Sequence, residues 1–322
     1  MMQNKTSLRG ILLLSLASLF WGFAFVAQKK VVEVGMAPFG CNLLRFAIGA
    51  LILLPLIMGA DKFRKSQRTL FSRKSGRFSI DISKRELKGG VLCGCFLFFA
   101  TTLQQYGLDI GTEAGKSAFL TVMYIVMVPV LRFFAGKRAG WHVWTSVLVS
   151  LFGVWMLSVG DFSGNRMQVG AGDLLTLLCA LAFSFHILAV DRSAGGVDGL
   201  RLAFVQFATV AVLCSPTALL VESLTWQQIA AGALPILYLG VFSCGGAYTL
   251  QILGQQQCGP VLASLIICLE SVIAAFGGWW LLGEQMSRLE LIGCFAILLA
   301  VAFAQLPLQN PRLKSDKTPP KT

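Results

Sequence analysis

Thr102-Leu103-Gln104-Gln105-Tyr106-Gly107 recurs as Thr249-Leu250-Gln251-Ile252-Leu253-Gly254, with threonine, leucine, glutamine and glycine kept at an offset of 147. Upstream, Arg45-Phe46-Ala47 reappears as Gln206-Phe207-Ala208 at an offset of 161. The two offsets differ by 14 residues, which extra length in a basic loop of the first half accounts for. The chain therefore contains a duplicated unit, and a duplicated hydrophobic unit indicates a transporter.

The composition is that of a membrane protein. Hydrophobic residues make up 56% of the chain, charged residues only 13%, and the mean hydropathy is +0.72. A helix crosses a bilayer in about 20 apolar residues. Such runs begin near Leu8, Met36, Gly89, Lys116, His142, Ala171, Arg201, Ala230, Gly259 and Leu289. The sequence therefore predicts ten transmembrane helices, joined by connections too short to hold a soluble domain.

Basic residues set the predicted orientation. Ten of the 27 Lys and Arg residues lie in the loop at 61–88. With a cytoplasmic N-terminus, 21 basic residues fall on the cytoplasmic side and 5 on the other. The positive-inside rule thus predicts that both termini are cytoplasmic. This distribution argues against nucleic-acid binding. The 61–88 loop either fixes orientation alone or also contacts anionic lipids, and 309–322 is predicted to be a disordered tail.

Each copy holds five predicted spans, an odd number, so the second copy enters the membrane from the opposite side. The predicted fold is an all-α integral membrane protein with two inverted five-helix repeats, at 1–160 and 161–308. In such folds the substrate site lies near the bilayer midplane between the halves, and rocking around it gives alternating access.

Three motifs resemble enzyme, nucleotide or metal sites but do not meet the requirements of those sites. The stretch Gly111 to Ser117 has three residues between its glycines where a phosphate-binding loop has four. Gly170-Ala171-Gly172-Asp173 resembles an aspartyl protease signature but lacks a second, Tyr-Asp, motif, and Asp173 is better placed to stabilise a helix N-terminus. Cys93 and Cys95 point to different helix faces. We therefore expect no catalytic residue, metal or cofactor.

Two charged side chains lie deep inside predicted spans. Glu270 is eleven residues into its span, where a charge is costly and usually faces a cavity. It either serves the transport pathway or holds the bundle together as a protonated acid bonded to the backbone. Arg45 can offer a positive charge to an anionic group, or it can snorkel or pair with an acidic neighbour. Its repeat mate is neutral Gln206.

Further polar and aromatic side chains are candidates for the same pathway. Gln104 and Gln251 are repeat mates, and they either bind solute as a pair or hold helices together. His186 can titrate or simply pack. The remaining aromatic candidates either line a cavity or belong to interfacial belts; they are Trp21, Tyr106, Tyr124 and Tyr248.

Several short motifs, in order, resemble one known family. They are Phe20-Trp21-Gly22, Leu44-Arg45-Phe46, Gln105-Tyr106-Gly107-Leu108, Ala118-Phe119-Leu120-Thr121 through Val128-Pro129-Val130, and Leu269-Glu270 through Gly283-Glu284. Together they resemble EamA-type members of the drug/metabolite transporter superfamily. The resemblance implies a ten-helix inverted repeat in the cytoplasmic membrane and secondary transport, often export of amino acids or related compounds.

Two departures from that family pattern stand out. Glu270 is followed by Ser271 where members often have proline, which predicts a weaker helix break, and the first half has Gly136-Lys137 in place of Gly-Glu.

The sequence thus predicts a secondary transporter, an exporter of small polar or amphipathic metabolites, with proton coupling through Glu270 as a hypothesis. A membrane enzyme acting on lipid-linked substrates and a non-transporting helper or sensor are the alternatives.

Overall fold

The computed structural model describes residues 7–68, 82–112, 114–137, 139–159, 170–222, 224–282 and 287–305, and within them the chain is helical without a β-strand. Residues 69–81 of the basic loop, the predicted tail at 309–322, and Glu284 lie outside the described residues. The helices of the first half are α1 (Leu8–Glu33), α2 (Pro38–Arg68), α3 (Lys84–Asp109), α4 (Ala114–Thr121), α5 (Tyr124–Phe134) and α6 (Trp141–Val159). Those of the second half are α7 (Ala171–Ser193), α8 (Gly199–Leu220), α9 (Trp226–Ala231), α10 (Ala233–Tyr238), a π-helix, π1 (Leu239–Tyr248), α11 (Thr249–Cys258), α12 (Pro260–Ile267), α13 (Leu269–Leu282) and α14 (Arg288–Ala304).

Eight helical segments of the described chain are long and apolar enough to cross a membrane. Two of them, Lys116–Phe134 and Pro260–Gly277, each join two consecutive helices, and a third, Ala233–Cys258, runs through π1. Trp141–Met156 is apolar but shorter. The predicted fifth and tenth spans fall on α6 and α14. The chain is therefore a multi-pass membrane protein, and the count of ten stays a prediction.

The two halves exchange helix partners, in that helices of the first half pack mainly on helices of the second half. The most extensive contacts join α3 to α7 and α8, α6 to α14, α2 to α8 and π1, and α1 to α13 and α11. At the crossing of α2 and α8, the rings of Phe46 and Phe207 lie 5.9 Å apart, and both side chains are fully buried. These two phenylalanines occupy equivalent positions in the duplicated sequence.

Glycines permit close approach of the backbones at several of these crossings. A Cβ atom at Gly107 would lie 2.9 Å from the carbonyl oxygen of Gly172, and one at Gly172 would lie 2.8 Å from that of Gly107. The same reciprocal arrangement joins Gly10 of α1 to Gly254 of α11, at 3.1 and 3.0 Å. Small residues let helix backbones approach closely in a membrane. Gly107 and Gly254 belong to the repeated hexapeptide, so the motif that marks the duplication also forms the two equivalent contacts.

Two helices are interrupted at equivalent positions. A turn at Val122 and Met123 separates α4 from α5, and a turn at Cys268 separates α12 from α13. The second break forms although proline is absent after Glu270. It is a tight turn in which the amide of Ser271 donates to the carbonyl of Cys268 at 3.1 Å. The predicted weakening of this break by Ser271 does not prevent it, and Glu270 lies in the first turn of α13.

Charged side chains tie three helices together at the end where α2 finishes and α3 and α8 begin. Arg201 Nη2 of α8 donates to Asp61 Oδ1 of α2 at 2.6 Å, and Arg201 Nη1 lies 4.0 Å from Glu86 Oε2 of α3. Glu86 Oε1 also accepts from the amide of Asp198 at 3.2 Å. This network joins elements of both halves at one end of the bundle.

Asp173 joins the start of α7 to neighbouring segments of the first half. Its carboxylate accepts from the amide of Gly170 at 2.9 Å and from Lys116 Nζ of α4 at 2.5 Å, and Thr112 donates at 3.4 Å. This arrangement fits the expected role of Asp173 at a helix N-terminus. The side chain caps α7 and fixes the beginning of α4 beside it.

Replacing Asp173 with alanine is expected to destabilise the protein by about 1–3 kcal/mol, because three hydrogen-bond donors lose a buried acceptor. The measurement is the midpoint of thermal unfolding of the purified protein in detergent. Asp191→Asn is the matched control, since its pair with Arg132 spans 3.5 Å between partly exposed side chains and contributes little. Equal midpoints for the two variants would contradict the capping role.

Candidate functional site

A cavity lies between helices of both halves near the middle of the bundle. It encloses about 520 Å³ of space not occupied by atoms, part of it open to the outside. Residues from α1, α2, α3, α4, α5, α7, π1, α11, α12 and α13 form its wall. They are Trp21, Ala24, Phe25, Gln28, Arg45, Gln104, Thr121, Tyr124, Phe183, Ile187, Ser243, Tyr248, Gln251, Ile267 and Glu270.

The two charged candidates from the sequence both line this cavity. Glu270 is 5% exposed and Arg45 is 2% exposed. No nitrogen of Arg45 comes within 4.0 Å of a carboxylate oxygen of a described residue. Instead the guanidinium carbon lies 5.2 Å from the centroid of the Phe46 ring. The cavity therefore holds two separate ionisable groups of opposite sign, which is an expensive arrangement inside a membrane unless the groups serve a ligand or a proton.

Glu270 links the two interrupted helices. Tyr124 Oη donates to Glu270 Oε1 at 2.8 Å. Tyr124 is the first residue of α5 and Glu270 the second of α13, so the bond joins the starts of the two helices that follow the breaks. A carboxyl group in this place connects the first half of the chain to the second. Protonation of this carboxyl group, or a ligand bound to it, would therefore alter a hydrogen bond between the two halves.

A row of hydrogen bonds runs along another part of the wall. Gln28 Nε2 donates to Gln104 Oε1 at 3.1 Å, and Gln104 Nε2 donates to Thr121 Oγ1 at 3.2 Å. Gln251, the repeat mate of Gln104, also lines the cavity, but its Oε1 atom has no partner among the described residues. The duplicated glutamines therefore share the cavity and differ in their bonding.

Aromatic rings form much of the remaining surface. The rings of Trp21 and Tyr248 meet edge to face with centroids 4.7 Å apart, and Tyr248 also lies 6.0 Å from Phe46. Tyr248 ends π1, a stretch of π-helix that carries Ser243 to the wall as well. Local π-helix is frequent at functional sites because it redirects side chains.

Two predicted site residues lie away from the cavity wall. Tyr106 is near the end of α3, where its ring lies 5.8 Å from that of Phe39. His186 is fully buried in a layer outside the wall, with Nε2 3.2 Å from Gln206 Oε1 and its ring 5.9 Å from that of Tyr248. Residue type suggested both, Tyr106 as an aromatic and His186 as a titratable group, but neither belongs to the cavity wall.

The sequence missed Gln28 and Thr121. Gln28 is followed by Lys29 and Lys30, a pattern typical of the end of a span. In the structure its side chain is 3% exposed and donates a hydrogen bond to Gln104. Thr121 lies in one of the motifs that carry the family resemblance, which was the available signal.

Within the described part of the chain, no three His, Cys, Asp or Glu side chains are grouped closely enough to hold a metal ion. The nine cysteines are unpaired there. The cavity described above is thus the site at which ionisable, amide and aromatic groups converge.

Comparison with known proteins finds similarity to a transporter family and to proteins named transporters. The sequence signature of the EamA-like transporter family matches residues 8–159 and 170–305. An "Uncharacterized transporter" of Archaeoglobus fulgidus is 28% identical over 91% of this chain and 84% of its own length. The threonine/homoserine exporter RhtA of Escherichia coli K12 is 25% identical over 90% of this chain and 88% of its own.

Two further comparisons concern the membrane and the fold. The "Uncharacterized inner membrane transporter YedA" of Escherichia coli K12 is 27% identical over 51% of this chain and 52% of its own length. A protein of known crystal structure superposes with a TM-score of 0.70 over 92% of this chain and 96% of the other, at 18% identity. That likeness concerns the fold alone.

Proposed function

We propose that this chain, which belongs to the EamA-like transporter family, is a secondary active transporter that exports small polar or amphipathic metabolites, amino acids or related compounds among them. The observation that carries the proposal is the cavity between the halves, with Arg45 and Glu270 buried on its wall. Convergent polar groups in an otherwise apolar pocket are typical of a small-molecule site. The relative RhtA, named an exporter of threonine and homoserine, supports both the direction and the class of solute.

The architecture in this proposal is two inverted repeats of five spans, at 1–160 and 161–308. The family signature falls on two stretches that meet between residues 159 and 170, which supports this division. The exchange of helix partners supports it further, because α1 packs on α11 as α7 packs on α3. The contact between the equivalent Phe46 and Phe207 is what a pseudo-twofold axis between α2 and α8 would produce.

The proposed location is the inner membrane, with both termini in the cytoplasm. The support is the distribution of basic residues, 21 against 5, together with the inner-membrane relative. In this orientation the network of Arg201, Asp61 and Glu86 lies at the cytoplasmic end. The basic loop at 61–88 then faces the leaflet that carries anionic lipids, to which it is proposed to bind.

Alternating access is proposed to use Glu270 as the coupling group. Its carboxyl group bridges the halves through Tyr124, so binding of a proton or of solute changes the contact about which the halves move. A proton and the cationic group of a solute cannot occupy the Glu270 carboxylate at the same time. Proton entry would therefore drive export of the solute against its concentration gradient.

The test is solute flux by the purified protein in liposomes. Threonine, homoserine and a panel of apolar amino acids are trapped inside, and efflux is followed after an acid-outside pH gradient is imposed. We expect at least one solute to leave about tenfold faster than from protein-free liposomes, and faster with the gradient than without it. A protein that binds solutes from this panel but moves none of them would fit a helper or sensor and overturn the proposal.

A further inference from the structure

Two contacts hold the opposite ends of the pair formed by α2 and α8. At one end Arg201 Nη2 of α8 donates to Asp61 Oδ1 of α2 at 2.6 Å. At the other end the carboxylate of Glu222, just beyond α8, accepts from two amides in the first turn of α2, those of Phe39 at 3.0 Å and Gly40 at 2.7 Å. We call them the inner and the outer contact, after the orientation proposed above. Each joins one half of the chain to the other.

The duplicated sequence makes these two contacts equivalent. Asp61 and Glu222 are repeat mates at the offset of 161 that relates α2 to α8. Gly40 and Arg201, the positions that these carboxylates reach, are repeat mates at the same offset. In both contacts, therefore, an acidic side chain near the end of one helix binds the same position at the start of the other helix.

A second hydrogen bond between the halves supports each contact. At the inner end, Glu86 Oε1 of α3 accepts from the amide of Asp198, which precedes α8, at 3.2 Å. At the outer end, Gln228 Nε2 of α9 donates to the carbonyl oxygen of Gly35, which precedes α2, at 2.8 Å. Each end of the pair is thus closed by two bonds that cross between the halves.

The inner and outer contacts differ in chemistry. The inner one is an ion pair between side chains that are 16% and 20% exposed, with Glu86 Oε2 4.0 Å from the same guanidinium group. The outer one uses backbone amides at a helix N-terminus, where donors lack intrahelical partners and the helix dipole favours an anion. Glu222 is also partly exposed. Because both contacts lie at partly exposed helix ends, water can replace either set of hydrogen bonds when the helices separate.

Between the two contacts lies the packing of Phe46 on Phe207, whose rings are 5.9 Å apart and fully buried. In the proposed inverted repeat, a contact between repeat mates lies on the axis that relates the halves. Helices held at such a point can part at one end while they remain joined at the other. Arg45, next to Phe46 on α2, lines the cavity, so movement of α2 against α8 reaches the cavity wall.

We propose that the inner and outer contacts are the two gates of this protein, and that α2 and α8 part at one of them at a time. This inference rests on the proposed function and adds to it the residues that close each side. Asp61 and Glu222 are positioning residues in this scheme, since they lie outside the cavity wall and act through the separation of two helices. Loss of one contact then favours the conformation that is open on that side.

The experiment measures access to the cavity from each side of the membrane. Ser243→Cys places a thiol of nearly the same size on the wall, where Ser243 is 3% exposed. Its labelling by a membrane-impermeant maleimide is followed in intact cells for the outer side and in inverted membrane vesicles for the inner side. The parent protein without this cysteine is labelled in parallel, which subtracts the nine native cysteines.

The two gate variants are expected to change the labelling in opposite directions. Asp61→Asn removes a charge-assisted hydrogen bond from the inner contact, and should raise labelling from inside about fivefold and lower it from outside. Glu222→Gln turns an NH₂ group, which cannot accept, toward the amides of α2. It should raise labelling from outside and lower it from inside. General loosening of the bundle would raise both, so opposite signs identify gates.

Conservative variants and a control accompany these two. Arg201→Lys and Glu222→Asp keep the charges and weaken the geometry, so they are expected to give the same signs at smaller size. They also provide the test if a full substitution fails to fold. Asp191→Asn interrupts the pair of Asp191 with Arg132, which joins α7 to α5 between partly exposed side chains. This control is expected to keep the wild-type ratio of inner to outer labelling.

The outcomes separate the gates from the proposed function, because labelling requires no solute. Unchanged labelling in both variants, or a rise on the same side in both, overturns the gates, and efflux from liposomes then still supports the proposed function. Opposite changes in labelling support the gates. If those changes occur and no solute of the panel crosses, the proposed function fails while the two contacts still control access to the cavity.

Discussion

Liposomes containing the Glu270→Gln protein are expected to lose the response of efflux to a pH gradient, so that the ratio of flux with and without the gradient falls to about 1. Glutamine has nearly the same shape and its carbonyl can accept the hydrogen bond from Tyr124, which is 2.8 Å long in the wild type. It cannot take up or release a proton in the physiological range. The substitution therefore removes the coupling chemistry with little change in packing.

The control for this experiment is Glu33→Gln, which neutralises an exposed carboxylate at the end of α1. That variant is expected to keep the wild-type ratio. A second comparison, Tyr124→Phe, keeps the carboxyl group and removes its bridge to the first half, so its gradient response is expected to be weakened and not lost. Undiminished gradient dependence in the Glu270→Gln protein would rule out Glu270 as the coupling group.

The second large effect is expected at the crossing of α3 and α7. Gly107→Leu should yield almost no folded, monodisperse protein after extraction in detergent. A Cβ at this position would lie 2.4 Å from Thr176 Oγ1 and 2.9 Å from the carbonyl oxygen of Gly172, and backbone cannot move aside as a side chain does. Overpacking of this kind costs about 1–3 kcal/mol or more, a large share of an ordinary folding free energy.

Gly59→Leu on α2 provides the matched control. A Cβ at Gly59 meets nothing within 4 Å, and the residue is exposed. The same substitution there is expected to leave the yield of folded protein near that of the wild type. If Gly107→Leu folded equally well, the close approach of α3 to α7 would be wrong.

The sequence was most informative about the candidate site where a charged or polar residue interrupts an apolar run. Arg45 and Glu270 interrupt apolar runs, and the cost of a charge in lipid pointed to both. Gln104 and Gln251 followed from the repeat, which placed one from each half in the same cavity. These four inferences depend on composition and periodicity alone.

The remaining parts of the site depend on rotation about a helix axis, which span depth does not give. Tyr106 is only two residues beyond Gln104, roughly 200° around the helix, and so faces another way. Gln28 belongs to the cavity although charged neighbours follow it. The π-helix at Leu239–Tyr248 and the break at Cys268 contain no proline that would have signalled them in the sequence.

The exchange of helix partners has a consequence for the order in which the chain is made. Since α3 packs on α7 and α1 on α11, the glycine faces of the first half are complete in the membrane well before their partners leave the ribosome. During that interval α1 and α3 must be held by lipid or by each other, and contacts between distant segments form late. The helices of the second half therefore complete the packing of α1 and α3, which lack their partners until that point.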